Sequence, residues 1–138
     1  ARNLGSCVKL LDYSLKYALS REQFGKPIFE QQAVQHMLAD MATEIEVLRS
    51  ITYRVAWMTD QNERVVKDAA IAKYFGSEVY NRIADLAVQI HGGIGYMKEY
   101  PIERYYRDAR ITKIYEGTSQ IQKNIIANEL KRQYLTQY

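Results

Sequence analysis

The chain has 138 residues, 47% of them hydrophobic and 25% charged, which is the balance of an ordinary globular domain and argues against intrinsic disorder. Its net charge of +3 comes from 19 basic and 16 acidic side chains spread along the chain, so neither a nucleic-acid-binding surface nor a membrane span is predicted. The single Cys7 excludes an internal disulfide and a cysteine-based zinc site, and with only two histidines no metal site is predicted.

Apolar residues recur at helical spacing through most of the chain. A first helix is predicted from one stripe, which runs through Leu4, Val8, Leu11, Leu15 and Ala18. The polar stretch 20–26 ends this helix and forms a loop. A second helix is predicted from near Ile28 to about Thr59, and its stripe runs through Val34, Leu38, Met41, Ile45, Leu48 and Val55.

A polar turn at 60–62 leads to a third helix, with a stripe through Val65, Ala69, Ala72, Val79, Ile83, Leu86 and Ile90. Gly76 fills one slot of that stripe, and a residue without a side chain lets another helix approach closely. Gly92 and Gly93 end the helix, since glycine tolerates the left-handed conformation common just past a helix end. After an irregular stretch at 94–101, a short helix is predicted over 102–110, and a last helix has Thr118 or Ser119 as its N-cap.

Long helices joined by short turns pack best as an antiparallel bundle. We therefore predict an all-α fold, an antiparallel up-and-down four-helix bundle, in which residues 1–138 form one domain. The apolar stripes are interpreted as core, and stripes this regular can also extend over faces that pack against a second subunit.

Three segments stand apart from the bundle pattern, and the first is the turn at 20–27. It places Arg21, Gln23 and Phe24 around a tight glycine turn between two long helices. An arginine there can bind a phosphate or carboxylate through two hydrogen bonds, and an aromatic ring can lie against a flat ligand. From the residues alone, an ordinary solvated turn with Phe24 folded back as a plug is the favoured interpretation.

The second segment, 89–96, joins Gln89 and His91 to three glycines. Glycine backbones can approach an anion closely, but here the helix precedes the glycines, the reverse of a phosphate loop. A helix C-cap is therefore the favoured interpretation from the residues alone.

The third segment, 110–120, places Glu116 between apolar and aromatic residues and a Gly-Thr-Ser helix start. Partly apolar surroundings raise the pKa of a carboxylic acid, which suits a general base. Gly117 leaves room for a substrate beside the carboxylate. The alternative, a carboxylate that only favours the positive end of a helix dipole, stays open on spacing alone.

Together, in order and spacing, the three segments resemble the C-terminal helical domain of acyl-CoA dehydrogenases. The resemblance covers essentially the whole chain and rests on QFGKP at 23–27, Q-x-x-GG-x-GY at 89–96, RDAR at 107–110 and IYEGT at 114–118. The stretch 104–112 looks closest to short-chain, butyryl-CoA dehydrogenase-like members. The resemblance implies that the chain is the C-terminal bundle of a larger enzyme with further helical and β domains, and that the isolated chain is inactive.

The resemblance also implies an FAD-dependent oxidoreductase of fatty acid β-oxidation that converts acyl-CoA to trans-2-enoyl-CoA and passes electrons to electron-transfer flavoprotein. In this role Glu116 removes the α-proton while hydride leaves the β-carbon, and Gly117 lies against the thioester. The implied FAD contacts come from two subunits of a homo-oligomer, a tetramer or dimer. A neighbouring subunit supplies Arg21, Gln23, Phe24, Gln32, Gln89 and Gly93, and the same subunit supplies Thr118, Ser119 and Gln120.

Two other functions remain open: a helical oligomerisation module without flavin or activity, and an oxygen-using acyl-CoA oxidase relative. The sequence does not give the length of the acyl chain. The expected location is the cytoplasm in a bacterium and the mitochondrial matrix in a eukaryote.

Overall fold

A computed structural model describes residues 1–137, the last of them by its backbone alone, and most of this range is helical. The helices in this range are α1 (Arg2–Ser20), α2 (Gln32–Asp60), α3 (Val66–His91), α4 (Gly93–Tyr96), α5 (Ile102–Ile111) and α6 (Ser119–Gln137). Between α1 and α2, the two-residue strands β1 (Glu22–Gln23) and β2 (Lys26–Pro27) form an antiparallel hairpin, followed by a 3₁₀ turn at Ile28–Glu30.

The bundle is organised around α3, which packs against α1, α2, α5 and α6, while α1 and α2 also pack on each other. Pairs between the helices show that the four long helices alternate in direction: the ends of α1 and α3 lie together, while α2 and α6 each run opposite to α3. The predicted all-α antiparallel up-and-down bundle is confirmed. Within residues 1–137, none of the helices combines the length and the apolar character that crossing a bilayer requires.

The buried face of α1 differs from the predicted stripe. The residues that α1 buries are Leu4, Cys7, Leu10, Ser14 and Ala18. Val8 and Leu15 are each 39% exposed, so the prediction is wrong at these two positions. The helix carries two adjacent apolar stripes, and α3 packs on the one that contains the small residues Cys7, Ser14 and Ala18, because small side chains allow a closer approach.

The contact between α2 and α3 follows the prediction more closely. The core residues of α2 are Leu38, Met41, Ile45 and Leu48, all from the predicted stripe. A Cβ added to Gly76 would lie 3.1 Å from Leu48 Cδ1, which confirms that glycine permits a close helix approach there. The helix begins at Gln32 rather than near Ile28, because Pro27 and Gln31 have extended backbone on either side of the 3₁₀ turn.

The predicted helix ends are mostly confirmed. Gly92 ends α3 with φ of +61°, but 93–96 forms one helical turn where the sequence predicts an irregular stretch. Gly95 lets this turn fold back on α3, since an added Cβ would lie 2.7 Å from His91 Cβ. At the start of α6, Thr118 Oγ1 accepts a hydrogen bond of 3.3 Å from the Ile121 N–H, so Thr118 is the N-cap.

Candidate functional site

The β-hairpin between α1 and α2 turns through Phe24 and Gly25, whose φ angles are +56° and +77°. This two-residue turn suits Asn-Gly, and a phenylalanine in the left-handed region is strained by about 1 kcal/mol. The Phe24 side chain is 93% exposed, so the interpretation as a folded-back plug is wrong. An exposed aromatic ring on a strained backbone marks a candidate binding residue.

The other residues predicted for this part of the site lie at the same end of the bundle as the hairpin. Tyr17 stacks on His91 with ring centroids 4.5 Å apart, so the last turns of α1 and α3 are neighbours. The exposed members of the group are Arg21, Gln23, Phe24, Gln32, Gln89 and Gly93. A guanidinium, three primary amides, an aromatic face and an open glycine backbone fit the adenosine diphosphate portion of FAD.

His91 and Cys7 are buried and belong to the packing of the bundle. His91 Nδ1 lies 2.8 Å from the Ala87 carbonyl oxygen, and burial lowers the pKa of the ring. Burial also raises the pKa of Cys7 to about 12, helped by the nearby Glu44 carboxylate, so the thiol stays protonated. In the described range, no group of three His, Cys, Asp or Glu side chains could hold a metal ion.

The loop between α5 and α6 carries Glu116 and Gly117, with φ angles of +54° and +88°. The Glu116 side chain is exposed, so residues 1–137 do not supply the partly apolar surroundings that the sequence predicts. A Cβ added to Gly117 would lie 2.7 Å from Gln122 Nε2. The room that Gly117 leaves on this side is therefore taken by the chain's own glutamine.

Two side chains that the sequence analysis missed hold this loop. Lys73 Nζ on α3 donates to the Gly117 carbonyl oxygen at 2.5 Å. Gln122 Nε2 on α6 donates to the carbonyl oxygens of Glu116 and Gly117 at 3.1 and 3.4 Å. The only sequence signals for these two residues were their positions: Lys73 directly follows the stripe residue Ala72, and Gln122 directly follows Ile121.

The start of α1 also reaches the Glu116 loop. The Arg2 guanidinium donates to the Tyr115 hydroxyl and lies 4.8 Å from the centroid of that ring. Beside it, a cavity of about 530 Å³ opens between α1, α2 and α3, with Glu116 and Lys73 in its lining. A larger groove of about 900 Å³ lies between α2, α3 and α5 and contains none of the predicted site residues.

The three predicted FAD contacts that follow Gly117 differ in how accessible they are. Ser119 is buried: its N–H donates to the Lys113 carbonyl oxygen at 3.0 Å and its hydroxyl lies 3.4 Å from Glu78 Oε1. Thr118 is half-buried and caps α6, while Gln120 is exposed. Thr118 and Gln120 are therefore the members of this set that remain open to a ligand.

The predicted site residues thus form two groups rather than one. Lys73 and Gln89 mark the two groups on α3, and their separation of 16 positions in the sequence corresponds to roughly 24 Å of helix. The first group lies at the hairpin end of the bundle, and the second lies around Glu116. Because α3 is continuous between them, the two groups are held at a fixed separation.

A profile of the family described as "Acyl-CoA dehydrogenase, C-terminal domain" matches residues 1–131. "Caffeyl-CoA reductase-Etf complex subunit CarC" of Acetobacterium woodii is 46% identical over 130 residues, which cover 94% of this chain and 34% of CarC. The mitochondrial short-chain specific acyl-CoA dehydrogenase of Rattus norvegicus is 48% identical over 131 residues, 95% of this chain and 32% of that protein. The chain therefore spans about a third of the length of these curated relatives.

Solved structures show the same fold. Butyryl-CoA dehydrogenase from Megasphaera elsdenii matches with a TM-score of 0.91 and 41% identity, over 93% of this chain and 33% of that one. An FAD complex of PigA matches with a TM-score of 0.89 and 34% identity, over 94% of this chain and 34% of that one. The resemblance found in the motifs is confirmed, and the chain belongs to the acyl-CoA dehydrogenase family as its C-terminal domain.

Proposed function

We propose that this chain is the C-terminal domain of an FAD-dependent enzyme that converts acyl-CoA thioesters to trans-2-enoyl-CoA, with Glu116 as the base. The observation that carries the proposal is the backbone of Glu116, which has φ of +54° although it is not glycine. Such strain persists only where the surroundings impose it, and it concentrates at functional sites. Here it presents an exposed carboxylate at the tip of a loop fixed from two helices.

The chemistry of α-proton removal fits this loop. The α-proton of a thioester is weakly acidic, so its removal needs a carboxylate in contact and hydrogen-bond donors for the charge that develops on the thioester oxygen. Within residues 1–137, the N–H groups of Glu116 and Gly117 donate to no other group, which leaves them available as donors. Gly117 then lies against the thioester, as the resemblance implies.

FAD, when bound, supplies the acceptor for the hydride that leaves the β-carbon. The hairpin group, Arg21, Gln23, Phe24, Gln32, Gln89 and Gly93, holds the adenosine diphosphate portion of a neighbouring subunit's FAD. Thr118, Ser119 and Gln120 lie beside the FAD of their own subunit, with Ser119 oriented inward. The fixed separation of the two groups along α3 supports two cofactors and therefore a homo-oligomer, a tetramer or dimer.

The names of the relatives support the electron acceptor and the substrate of this proposal. CarC is named as a subunit of an Etf complex, which supports electron-transfer flavoprotein as the partner of the complete enzyme. The names of the rat and Megasphaera relatives support a short acyl chain. The role in fatty acid β-oxidation is the one that the resemblance implies. We place the enzyme in the bacterial cytoplasm or the mitochondrial matrix. The isolated chain is inactive in this proposal, because the relatives are about three times as long.

A second candidate is the reverse reaction, reduction of a 2-enoyl-CoA. It is favoured by the name of CarC, a caffeyl-CoA reductase subunit with 46% identity to this chain. The site residues would be the same, because a base that removes the α-proton in one direction returns it in the other.

The test is the visible spectrum of the full-length protein under anaerobic conditions. Butyryl-CoA should bleach the oxidised-flavin band of the wild-type enzyme. The Glu116→Gln variant should still bind FAD, but butyryl-CoA should no longer bleach its flavin band. Glu63→Gln, at an exposed position, is the matched control and should bleach like the wild type. A reduced flavin that only an enoyl-CoA reoxidises would identify the reductase. If oxygen is then admitted, rapid reoxidation of the flavin with turnover would identify an oxidase. Absence of flavin would favour the oligomerisation module. Full bleaching of the flavin in the Glu116→Gln variant would refute the assignment of Glu116 as the base.

A further inference from the structure

Lys73 lies where α3 passes under the loop that carries Glu116. Its side chain is half-buried, and its ammonium group donates to the Gly117 carbonyl oxygen at 2.5 Å. A charge-assisted hydrogen bond of this kind is stronger than a neutral one. Lys73 is not part of any motif that identifies the family in this sequence, and the function proposed above gives it no role.

Gln122 approaches the same loop from α6. It is 7% exposed, and its amide nitrogen donates to the carbonyl oxygens of Glu116 and Gly117. The two consecutive carbonyl groups that flank the base are thus held from two different helices. Because the Gln122 amide is buried, water cannot replace it as the donor to these two carbonyl oxygens. It therefore holds the backbone more firmly than an amide exposed to solvent would.

The backbone offers little other support at this point. Upstream, the Tyr115 N–H donates to the Ile111 carbonyl oxygen, and downstream the Ser119 N–H donates to that of Lys113. Among residues 1–137, no backbone N–H donates to the carbonyl oxygen of Glu116 or Gly117. The left-handed conformation of Glu116 is therefore held by side chains rather than by secondary structure.

Lys73 also brings a positive charge to the base. Burial lowers the pKa of Lys73, and attraction to the Glu116 carboxylate opposes that shift. The ammonium group can therefore hold the loop through the Gly117 carbonyl and attract the carboxylate at the same time. A neutral side chain of similar length that has no hydrogen-bond donor, such as methionine, would do neither.

We propose that Lys73 is a positioning residue for the base Glu116, acting through the Gly117 carbonyl with Gln122 as the second clamp; this rests on the function proposed above. Lys73 does not touch the substrate in this proposal. Lys73 keeps the Glu116 carboxylate within reach of the α-carbon of the substrate. A displacement of a catalytic group by about 1 Å can reduce the rate of the reaction about 100-fold.

The experiment uses the full-length, FAD-loaded enzyme and compares Lys73→Met with Lys73→Arg. Lys73→Met should lower kcat at least about 10-fold while KM and FAD content stay unchanged and Tm falls only slightly, because the enzyme stays folded and the reacting geometry is what is disturbed. Lys73→Arg keeps a charged donor and should restore most of kcat. Lys67→Met is the matched control, since it removes a lysine of the same helix that bonds Gln133 on α6, away from the loop.

Two results would overturn the inference: wild-type kcat in Lys73→Met, or a loss of kcat that parallels losses of Tm and FAD and that Lys73→Arg does not restore. Glu116→Gln, measured in parallel, separates this inference from the proposed function. If Glu116→Gln still turns over, the base assignment fails and the positioning role fails with it. If Glu116→Gln is inactive and Lys73→Met is not impaired, only the positioning role fails.

Discussion

The hairpin turn at Phe24-Gly25 and the loop at Glu116-Gly117 share a local backbone conformation, but different hydrogen bonds hold them in place. Each has a non-glycine residue at positive φ followed by a glycine at positive φ. The hairpin is closed by its own strands and by the Ile28 N–H, which donates to the Arg21 carbonyl oxygen at 2.8 Å. The Glu116 loop depends instead on Lys73 and Gln122 from elsewhere in the fold.

This difference teaches how precisely each side chain is placed. A turn closed by local hydrogen bonds can present Phe24 to a flat ligand surface, where small displacements cost little contact. A base must meet one proton, so its position has to be fixed by the packed helices. We therefore expect substitutions at the hairpin to change binding and those at the loop to change both stability and rate.

The largest effect on stability is expected from Gly117→Ala. Alanine is strained in the left-handed backbone conformation of this position, at a cost of about 1 kcal/mol. Its Cβ also displaces the Gln122 amide, whose two hydrogen bonds contribute about 1 kcal/mol each. Urea unfolding should show a loss of roughly 2–3 kcal/mol in the free energy of unfolding. Gly25→Ala is the control, with no atom within 4 Å of the new Cβ and a loss of only about 1 kcal/mol. Equal losses would show that the clamp adds nothing.

Gln122→Met should have the next largest effect. The thioether fills the buried site but leaves the Glu116 carbonyl oxygen without its donor, which costs about 1–2 kcal/mol. Gln120→Met, two positions away and exposed, should leave the urea midpoint unchanged. If both variants match the wild-type midpoint, the loop is held without Gln122.

Phe24→Asn is expected to stabilise the chain by up to about 1 kcal/mol, because asparagine tolerates the left-handed conformation of the first turn position. In the full-length enzyme the same change should weaken FAD retention during dialysis, since the exposed ring is lost. Phe24→Ala removes the ring without the conformational gain, so it should weaken FAD retention without raising Tm. An unchanged FAD content in both variants would remove Phe24 from the cofactor site.

The smallest expected effect is an acid sensitivity at the hairpin end. Burial holds the pKa of His91 below its ordinary value of 6.5, so the unfolded chain takes up the proton first. The free energy of unfolding should be at its plateau above pH 6.5 and fall as the pH drops from 6.5 towards the folded-state pKa. His91→Phe should flatten this part of the pH profile, and His36→Gln, at an exposed position of α2, should not. A profile that His91→Phe leaves unchanged would place the acid-sensitive group elsewhere.

The sequence predicted the buried residues correctly where a helix has a single apolar repeat that can face the core. The α2 stripe and the slot at Gly76 were identified correctly, because the residues that α2 buries, Leu38, Met41, Ile45 and Leu48, follow a single helical repeat. The prediction failed for α1, where two neighbouring stripes compete and the packing of α3 selects between them. The single helical turn at 93–96 was also missed, since its support is the contact between Gly95 and His91.

The candidate site shows the same limit. Motifs at 23–27, 89–96 and 114–118 were visible in the sequence because glycines and their neighbours mark turns locally. Lys73 and Gln122 were not, because their roles depend on the carbonyl groups that folding brings to them, from 44 residues away for Lys73 and from five and six residues away for Gln122.

By itself, the sequence determined the four long helices and the short helix α5, their order, the positions of the turns between them and the family to which the chain belongs. Helical periodicity and turn chemistry are local properties, and family motifs are read directly from the residues. Only the tertiary structure decided which face of α1 is buried, that Phe24 points into solvent and that Glu116 is held by two carbonyl clamps. These features depend on which surfaces the helices cover when they pack around α3, and Lys73 reaches the Gly117 carbonyl oxygen from 44 residues away.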